Sequence, residues 1–90
     1  MIVAKKIRIY GLVQKVGFRH FILKFAESLE IKGYVKNEEK GNVFTYIVGE
    51  ETKVNELIEL CKHGPEKARV EFVEVFDAEL LKFRNFEIRL

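Results

Sequence analysis

The sequence predicts an α+β fold in which strands and helices follow one another in the order βαββαβ, with a short extra strand near the C-terminus. In several short runs apolar and polar residues alternate, as in half-buried strands. In two longer runs apolar residues recur every three or four positions, as in amphipathic helices. This order is that of the ferredoxin-like sandwich, in which one antiparallel sheet carries both helices on one face.

The first strand and the first helix have the clearest patterns. Residues 3–11 (VAKKIRIYG) alternate from position 6 onward, with Ile7 and Ile9 on one face. Residues 18–30 place phenylalanine, isoleucine and leucine at spacings of three and four, with charged residues opposite them. An amphipathic helix should therefore begin directly after Gly17.

The middle of the chain predicts a β-hairpin. Residues 33–36 (GYVK) are short and β-prone, and residues 43–48 (VFTYIV) form a strongly β-prone run. Between them, residues 37–42 (NEEKGN) have the composition of a polar turn. The two runs should pair with each other.

The second half predicts a helix and two further strands. Residues 51–62 carry an apolar stripe, with Thr52 as a possible N-cap and the stop signal KHGP at 62–65. Residues 69–76 (RVEFVEVF) are β-prone, but their apolar phase slips, which predicts either a bulge or a strand buried on both faces. Residues 86–90 (FEIRL) alternate cleanly and indicate the short last strand.

Composition limits the class of protein. The length predicts a single domain spanning residues 1–90, and 48% hydrophobic with 33% charged residues is typical of a compact globule. The net charge of +2 comes from 16 basic and 14 acidic residues spread along the chain. That balance does not indicate a nucleic-acid partner.

Cysteine usage and hydropathy predict a cytoplasmic protein. Cys61 is the only cysteine, so no intrachain disulfide is expected, and one thiol with two separated histidines supplies too few ligands for a structural zinc site. No run of about 18 apolar residues is present, and the N-terminal segment does not resemble a signal peptide. We therefore expect no metal, no membrane partner and a reducing compartment.

The segment VQKVGFRH, residues 13–20, is unusual for the loop between the first strand and the first helix. Val16 and Phe18 flank Gly17, although such a loop is normally more polar. These two apolar side chains should anchor the turn on the core. A loop held in this way keeps its backbone N–H groups aimed in a fixed direction.

The same loop has the chemistry of an anion site. The start of a helix presents unpaired backbone N–H groups and roughly half a positive charge. Arg19 offers a planar fork for two phosphate oxygens, and Lys15 adds a second cation. The predicted phosphate or carboxylate cradle consists of Lys15, Val16, Gly17, Phe18 and Arg19. A purely steric role of the glycine is the alternative.

From end to end the chain also resembles the acylphosphatase family. Residues 11–19 (GLVQKVGFR) are similar to that family's signature G-x-V-Q-G-V-G-F-R, and residues 33–37 (GYVKN) are similar to its signature G-[WY]-V-x-N. Further similarities are Gly41, Gly49, Gly64-Pro65 and Ala68-Arg69-Val70.

The resemblance implies an enzyme that hydrolyses the mixed anhydride of a carboxylate and phosphate, an acyl phosphate, without a metal or other cofactor. It implies that Arg19 and the N–H groups of residues 15–19 hold the phosphoryl group, while Asn37 positions the attacking water. Inorganic phosphate would be the product and sulfate its mimic, and we expect a monomer. The cradle grips the phosphate, so these residues do not specify the acyl group.

Lys15 departs from the family pattern, which has glycine at this position. If the position requires a positive φ, lysine strains the loop by about 1 kcal/mol or more and misdirects an N–H donor, and activity falls. If φ is negative, the lysine only adds a cation that tightens anion binding. The first case leaves a catalytically impaired phosphate-binding domain as an alternative function.

Two other classes of protein fit the same element order. An RNA-recognition module would use Tyr10 on the first strand and Phe44 or Tyr46 on the third as a stacking platform on the open sheet face. However, the run KGNVFTYI departs from the usual basic and aromatic pattern of such modules. The other class is a non-catalytic anion sensor, or a relative of the acylphosphatase-like domain of hydrogenase-maturation carbamoyltransferases.

Several nearby polar residues are given no role in the site. His20 is assigned to the surface or to packing, because the chemistry does not require it. His63 complements a helix C-terminus, and Cys61 is an inert thiol of the core. Gln14 and Lys36 are neighbours of the site by sequence only.

Overall fold

A computed structural model describes all 90 residues and has the predicted element order. The elements are β1 (Ile2–Leu12), α1 (Phe18–Ser28), β2 (Lys32–Asn37), β3 (Val43–Glu50), α2 (Glu51–His63), β4 (Arg69–Asp77) and β5 (Phe86–Arg89). The strands form one sheet in the order β4-β1-β3-β2-β5. The ferredoxin-like fold predicted from the sequence is confirmed.

The four longer strands pair antiparallel, as predicted, whereas β5 joins the sheet parallel to β2. The complete sheet is therefore mixed. The cause is the connection after β4, which leaves one edge of the sheet and reaches the opposite edge before β5 begins. A parallel neighbour requires such a crossover, while an antiparallel one can follow a tight turn.

The main core lies between the sheet and the two helices. The inward faces of β1 and β3 contribute fully buried residues such as Ile7, Ile9 and Ile47. Helix α1 buries Phe18, Ile22 and Ala26, and helix α2 buries Val54, Leu57, Ile58 and Cys61. Burying an aliphatic side chain of this size contributes about 1.5–3 kcal/mol, so this layer dominates the stability of the fold.

The opposite face of the sheet is partly covered by residues 78–85, which we call the crossover segment. The Phe83 ring lies 5.4 Å from the Tyr46 ring and 5.9 Å from the Tyr34 ring. The Tyr46 hydroxyl donates a hydrogen bond to the Glu79 carbonyl oxygen at 2.6 Å. As a result, most of β3 is buried on both faces.

The phase slip in β4 is a bulge. Tyr10 pairs with Phe72 and Gly11 pairs with Val70, which leaves Glu71 as the extra residue. The other expectation for this run, burial on both faces, is wrong. Strand β4 forms an edge of the sheet, and all nine of its residues are exposed or half-buried.

The N-cap of α2 lies two residues before Thr52, the residue expected from the sequence. Glu50 occupies the cap with extended backbone, and its carboxylate accepts a hydrogen bond from the Thr52 backbone N–H at 3.5 Å. A carboxylate at this place also interacts favourably with the helix dipole. The C-terminal end is as predicted, with Gly64 as the C-cap and Lys62 and His63 in the last turn.

Neither helix, of 11 and 13 residues, is long and apolar enough to cross a membrane.

Candidate active site

A pocket of about 180 Å³ joins the loop between β1 and α1 to the last residue of β2. Its lining consists of Val13, Lys15, Gly17, Phe18, Arg19, His20 and Asn37. The fold thus brings together the predicted cradle and Asn37, which lie on separate elements. Val16 does not line the pocket, because its side chain packs against the core instead.

The loop backbone presents a row of free donors. No hydrogen bond within the protein uses the N–H groups of Lys15, Val16 or Gly17, and no side chain caps α1. Gly17 is the N-cap with φ 81° and ψ 18°, and a Cβ at this position would meet no protein atom within 4 Å. The glycine is therefore required by its left-handed backbone and by no packing contact.

Apolar side chains hold this loop on the core, as the sequence predicts. Val13 and Phe18 are each 1% exposed, and Val16 packs against the same core. The Phe18 ring makes an edge contact with Phe21, with ring centroids 5.8 Å apart. Because the residues on both sides of Gly17 are fixed, the free N–H groups have little freedom to turn away.

The electrostatics of the pocket favour an anion. Lys15 and Arg19 form no ion pair within the protein, and no carboxylate lines the pocket. The first turn of α1 contains no acidic residue. Two uncompensated cations and the positive end of a helix therefore meet at one place.

Asn37 ends β2 opposite this positive loop. It is half-buried and pairs with Val43 in the antiparallel ladder, which fixes its backbone. Its side-chain amide forms no hydrogen bond within the protein, so its carbonyl and its amide group are both free to bind water or substrate.

Lys15 has the positive φ on which the alternatives in the sequence depend. Its φ is 63°, in the left-handed region, and Glu30 with φ 58° is the other residue besides glycines with a positive φ. An L-residue there costs roughly 1–2 kcal/mol relative to ordinary helical backbone. The side chain is exposed at the rim of the pocket.

Gln14 connects the loop to the turn after β2, a connection that sequence reasoning missed. Its side-chain Nε2 donates hydrogen bonds to the carbonyl oxygens of Glu38 at 2.8 Å and Asn42 at 2.9 Å. Gln14 is therefore more than a neighbour of the site by sequence. Both partners are backbone carbonyls, which every residue has, so the residue types in the turn do not predict the contact.

The aromatic residues considered for RNA stacking are covered. Phe44 and Tyr46 are 6% and 4% exposed, beneath Arg8, Lys36 and the crossover segment. Tyr10 stacks on Phe72 with ring centroids 4.5 Å apart. This face consequently offers no open ring of Phe44 or Tyr46 to a base.

The remaining candidates lie where the sequence predicts. His20 is exposed at the pocket rim. Cys61 is fully buried, and burial raises the pKa of its thiol to about 12, so the thiol is inert at neutral pH.

A larger pocket, of about 430 Å³, lies beside the turn between β2 and β3. Its lining consists of Arg8, Tyr10, Glu38, Glu39, Lys40 and Asn42. Here the cations have acidic neighbours, and the Arg8 Nε donates to the Glu38 carboxylate at 3.1 Å. The smaller pocket is therefore the better site for an anion, despite its size.

Comparison with known proteins agrees with the resemblance in the sequence. The family model for Acylphosphatase matches residues 5–88. An acylphosphatase of Archaeoglobus fulgidus is 44% identical over 86 residues, covering 96% of this chain and 97% of the relative. The crystal structure of acylphosphatase from Bacillus subtilis matches with a TM-score of 0.94 and 30% identity, with 100% of both chains covered. A structure of full-length HypF in a phosphate- and nucleotide-bound form matches with a TM-score of 0.88 and 28% identity, over 99% of this chain and 12% of HypF.

Proposed function

Because this chain is a hydrolase that belongs to the acylphosphatase family, we propose that it hydrolyses acyl phosphates in the 180 Å³ pocket, with Arg19 and Asn37 in the central roles. The observation that carries the proposal is the convergence of three features on one pocket. These are the free N–H groups of residues 15–17, the unpaired guanidinium of Arg19 and the unpaired amide of Asn37.

The cradle acts on the phosphoryl group. Phosphoryl transfer spreads negative charge over three equatorial oxygens, and fixed N–H donors with a guanidinium stabilise that charge without reorganising. Arg19 holds two of the oxygens as a bidentate partner. The loop N–H groups of residues 15–17, held by Val16 and Phe18, bind the rest of the charge.

Asn37 acts on the nucleophile. Its amide orients a water molecule toward phosphorus but has no basic group to take the proton. The water oxygen forms the new P–O bond while the bond from phosphorus to the acyl oxygen breaks, and the carboxylate leaves with the electron pair. The proton of the water passes to a phosphate oxygen. The carboxylate is already a good leaving group, so the reaction does not require a strong general base.

The donor set of the pocket suits this chemistry without a metal ion. Its lining contains no carboxylate that would bind a divalent cation, and Lys15 and Arg19 would repel one. The charge neutralisation that a metal supplies in other phosphoryl-transfer enzymes is here assigned to the guanidinium and the loop N–H groups.

The test is hydrolysis of benzoyl phosphate in the presence of a chelator. We expect Arg19→Ala to lower kcat/KM by about 10²–10³-fold, as the loss of a preorganised oxyanion donor does, and Arg19→Lys to recover little because the planar fork is lost. Asn37→Ala should lower kcat by a comparable factor. The matched controls Arg84→Ala and Asn55→Ala change exposed residues outside the pocket and should keep full activity. Full activity in either site variant would refute the mechanism.

A second function, phosphate binding with impaired catalysis, is favoured by the positive φ of Lys15. In this case the strained residue misdirects an N–H donor, and the wild type binds inorganic phosphate but hydrolyses benzoyl phosphate slowly. Lys15→Gly would then raise kcat at least tenfold. An unchanged or lower kcat in Lys15→Gly would show that the loop is already correctly formed with lysine.

A further inference from the structure

We propose that Gln14 is a positioning residue that sets the distance between the phosphate cradle and Asn37. The inference rests on the proposed function, since it concerns how the two halves of that site are held together. Gln14 directly precedes Lys15, the first residue of the cradle, and Glu38 directly follows Asn37. A hydrogen bond from Gln14 to Glu38 therefore connects the neighbour of the cradle to the neighbour of Asn37.

The Gln14 side chain connects the loop to the turn through two hydrogen bonds. One amide nitrogen donates to the Glu38 carbonyl oxygen at 2.8 Å and to the Asn42 carbonyl oxygen at 2.9 Å. Each of these oxygens already accepts a bond inside the turn, from Gly41 N–H and from Glu38 N–H respectively. The side chain thus clamps the turn at its two ends.

The turn that Gln14 grips is itself closed. The Glu38 backbone N–H donates to the Asn42 carbonyl oxygen at 2.9 Å, and the Asn42 side-chain Nδ2 donates to the Glu38 carboxylate at 2.7 Å. Arg8 on β1 donates to the same carboxylate at 3.1 Å. Since the turn cannot flex internally without breaking these bonds, a shift at Gln14 is passed on to Asn37.

No other hydrogen bond joins the loop to this turn. Among all hydrogen bonds of residues 13–17, the bonds of Gln14 are the ones that reach residues 37–42. The Asn37 side chain forms no hydrogen bond with the free N–H groups of the loop. The relative placement of water and phosphoryl group therefore depends on this amide in addition to the sheet ladder that holds Asn37, and a misplacement of about 1 Å costs a reaction roughly 10²-fold in rate.

The experiment is a double-mutant cycle between Gln14→Leu and Asn37→Ala, with kcat, KM and the inhibition constant of inorganic phosphate measured for each protein. Leucine has a similar size but no donor, and both carbonyls keep their partner inside the turn, so the variant should fold. Gln14→Asn, whose amide is too short for the bridge, is the second variant. Thr45→Val is the control, because it removes another hydrogen bond from a side chain to the backbone, Thr45 to Tyr34 at 2.8 Å, away from the pocket.

We expect Gln14→Leu and Gln14→Asn to lower kcat by 10–100-fold, with KM and phosphate inhibition within twofold of the wild type. In the Asn37→Ala background the same change should alter kcat by less than twofold, because a positioning residue has no effect once the residue it positions is gone. Thr45→Val should keep its kcat.

Three results would overturn the inference. The first is an equal fall of kcat in both backgrounds, which would show a general structural role. The second is an unchanged kcat in Gln14→Leu while Asn37→Ala is impaired, which refutes this inference alone. The third is full activity of Asn37→Ala, which refutes the mechanism on which the inference rests.

Discussion

Lys15 combines two roles that work against each other at the residue scale. Its ammonium adds positive charge at the rim of the pocket, which favours an anion there. Its backbone occupies φ 63°, where an L-residue costs roughly 1–2 kcal/mol and glycine costs nothing. The chain therefore gains a charge beside the cradle at the expense of stability.

We predict that Lys15→Gly stabilises the protein by about 0.5–1 kcal/mol. The relief of the left-handed strain is partly offset by the larger entropy of glycine in the unfolded chain. Thermal unfolding should show a rise in Tm of about 2–8 °C for a domain of this size.

Glu30→Gly is the matched control for this prediction, because Glu30 is also exposed with a φ of 58° and does not line the 180 Å³ pocket. It should gain a similar or slightly smaller stability, since it also loses an exposed ion pair to Lys53. A lower Tm in both variants would contradict the assignment of strain.

Most residues of the candidate site are predictable from sequence, because the residue type alone indicates the backbone freedom of glycine, the guanidinium of arginine and the amide of asparagine. The φ of Lys15 is not predictable in this way. Lysine has no preference for left-handed backbone, so the residue type gives no signal of this conformation. The role of Gln14 also escapes prediction, since it depends on how two distant turns meet.

At the scale of elements, the start of α1 and the end of α2 meet at one tight contact. A Cβ built on Gly64, the C-cap of α2, would lie 2.5 Å from the Phe18 ring. Gly64 also has φ 71°, so it has both a steric and a conformational reason to be glycine. The end of one helix thus sets the place where the other begins, and with it the pocket.

We predict that Gly64→Ala destabilises the protein by about 2–4 kcal/mol. About 1–3 kcal/mol comes from the positive φ, which with a ψ of −174° lies in a region nearly exclusive to glycine, and the rest comes from overpacking against Phe18. Chemical denaturation should be compared with Gly41→Ala, which has φ 96° but no atom within 4 Å of the added Cβ. That control should lose only the backbone part, and equal losses in the two variants would refute the steric contribution.

Element identities are easier to predict here than element partners. The helices and strands follow from local periodicity, and α1 begins at Phe18 as predicted. The parallel pairing of β5 with β2 has no local signal, because it results from the path of the crossover segment over the sheet. The exposed edge position of β4 is likewise a property of the whole sheet.

At the scale of the whole molecule, the buried thiol of Cys61 links folding to pH. Burial raises the pKa of this thiol from the ordinary value of 9.0 to about 12 in the folded state. The unfolded chain releases the proton near 9.0 and the folded chain keeps it. The stabilising contribution is therefore complete below pH 9.0 and is lost as pH rises toward 12.

We predict that the free energy of unfolding falls between pH 9 and 11, with up to about 1.4 kcal/mol per pH unit arising from this thiol alone. Urea unfolding at successive pH values measures the slope. Cys61→Ala should be less stable below pH 9 because of the cavity it leaves, but its alkaline slope should be shallower, so the difference between the two proteins should shrink as pH rises. Parallel curves for the two proteins would show that the thiol does not contribute.

The crossover segment and β5 also determine when the molecule can become complete during its synthesis. Strand β2 lacks its outer neighbour, and the rings of Tyr34 and Tyr46 lack their cover from Phe83, until residues 78–89 have left the ribosome. Before that point the nascent chain has an unpaired strand next to exposed aromatic rings, a combination that favours self-association. Native sheet closure therefore waits for β5, and the time between the emergence of β3 and that of β5 is the interval in which a growing chain most needs protection from its neighbours.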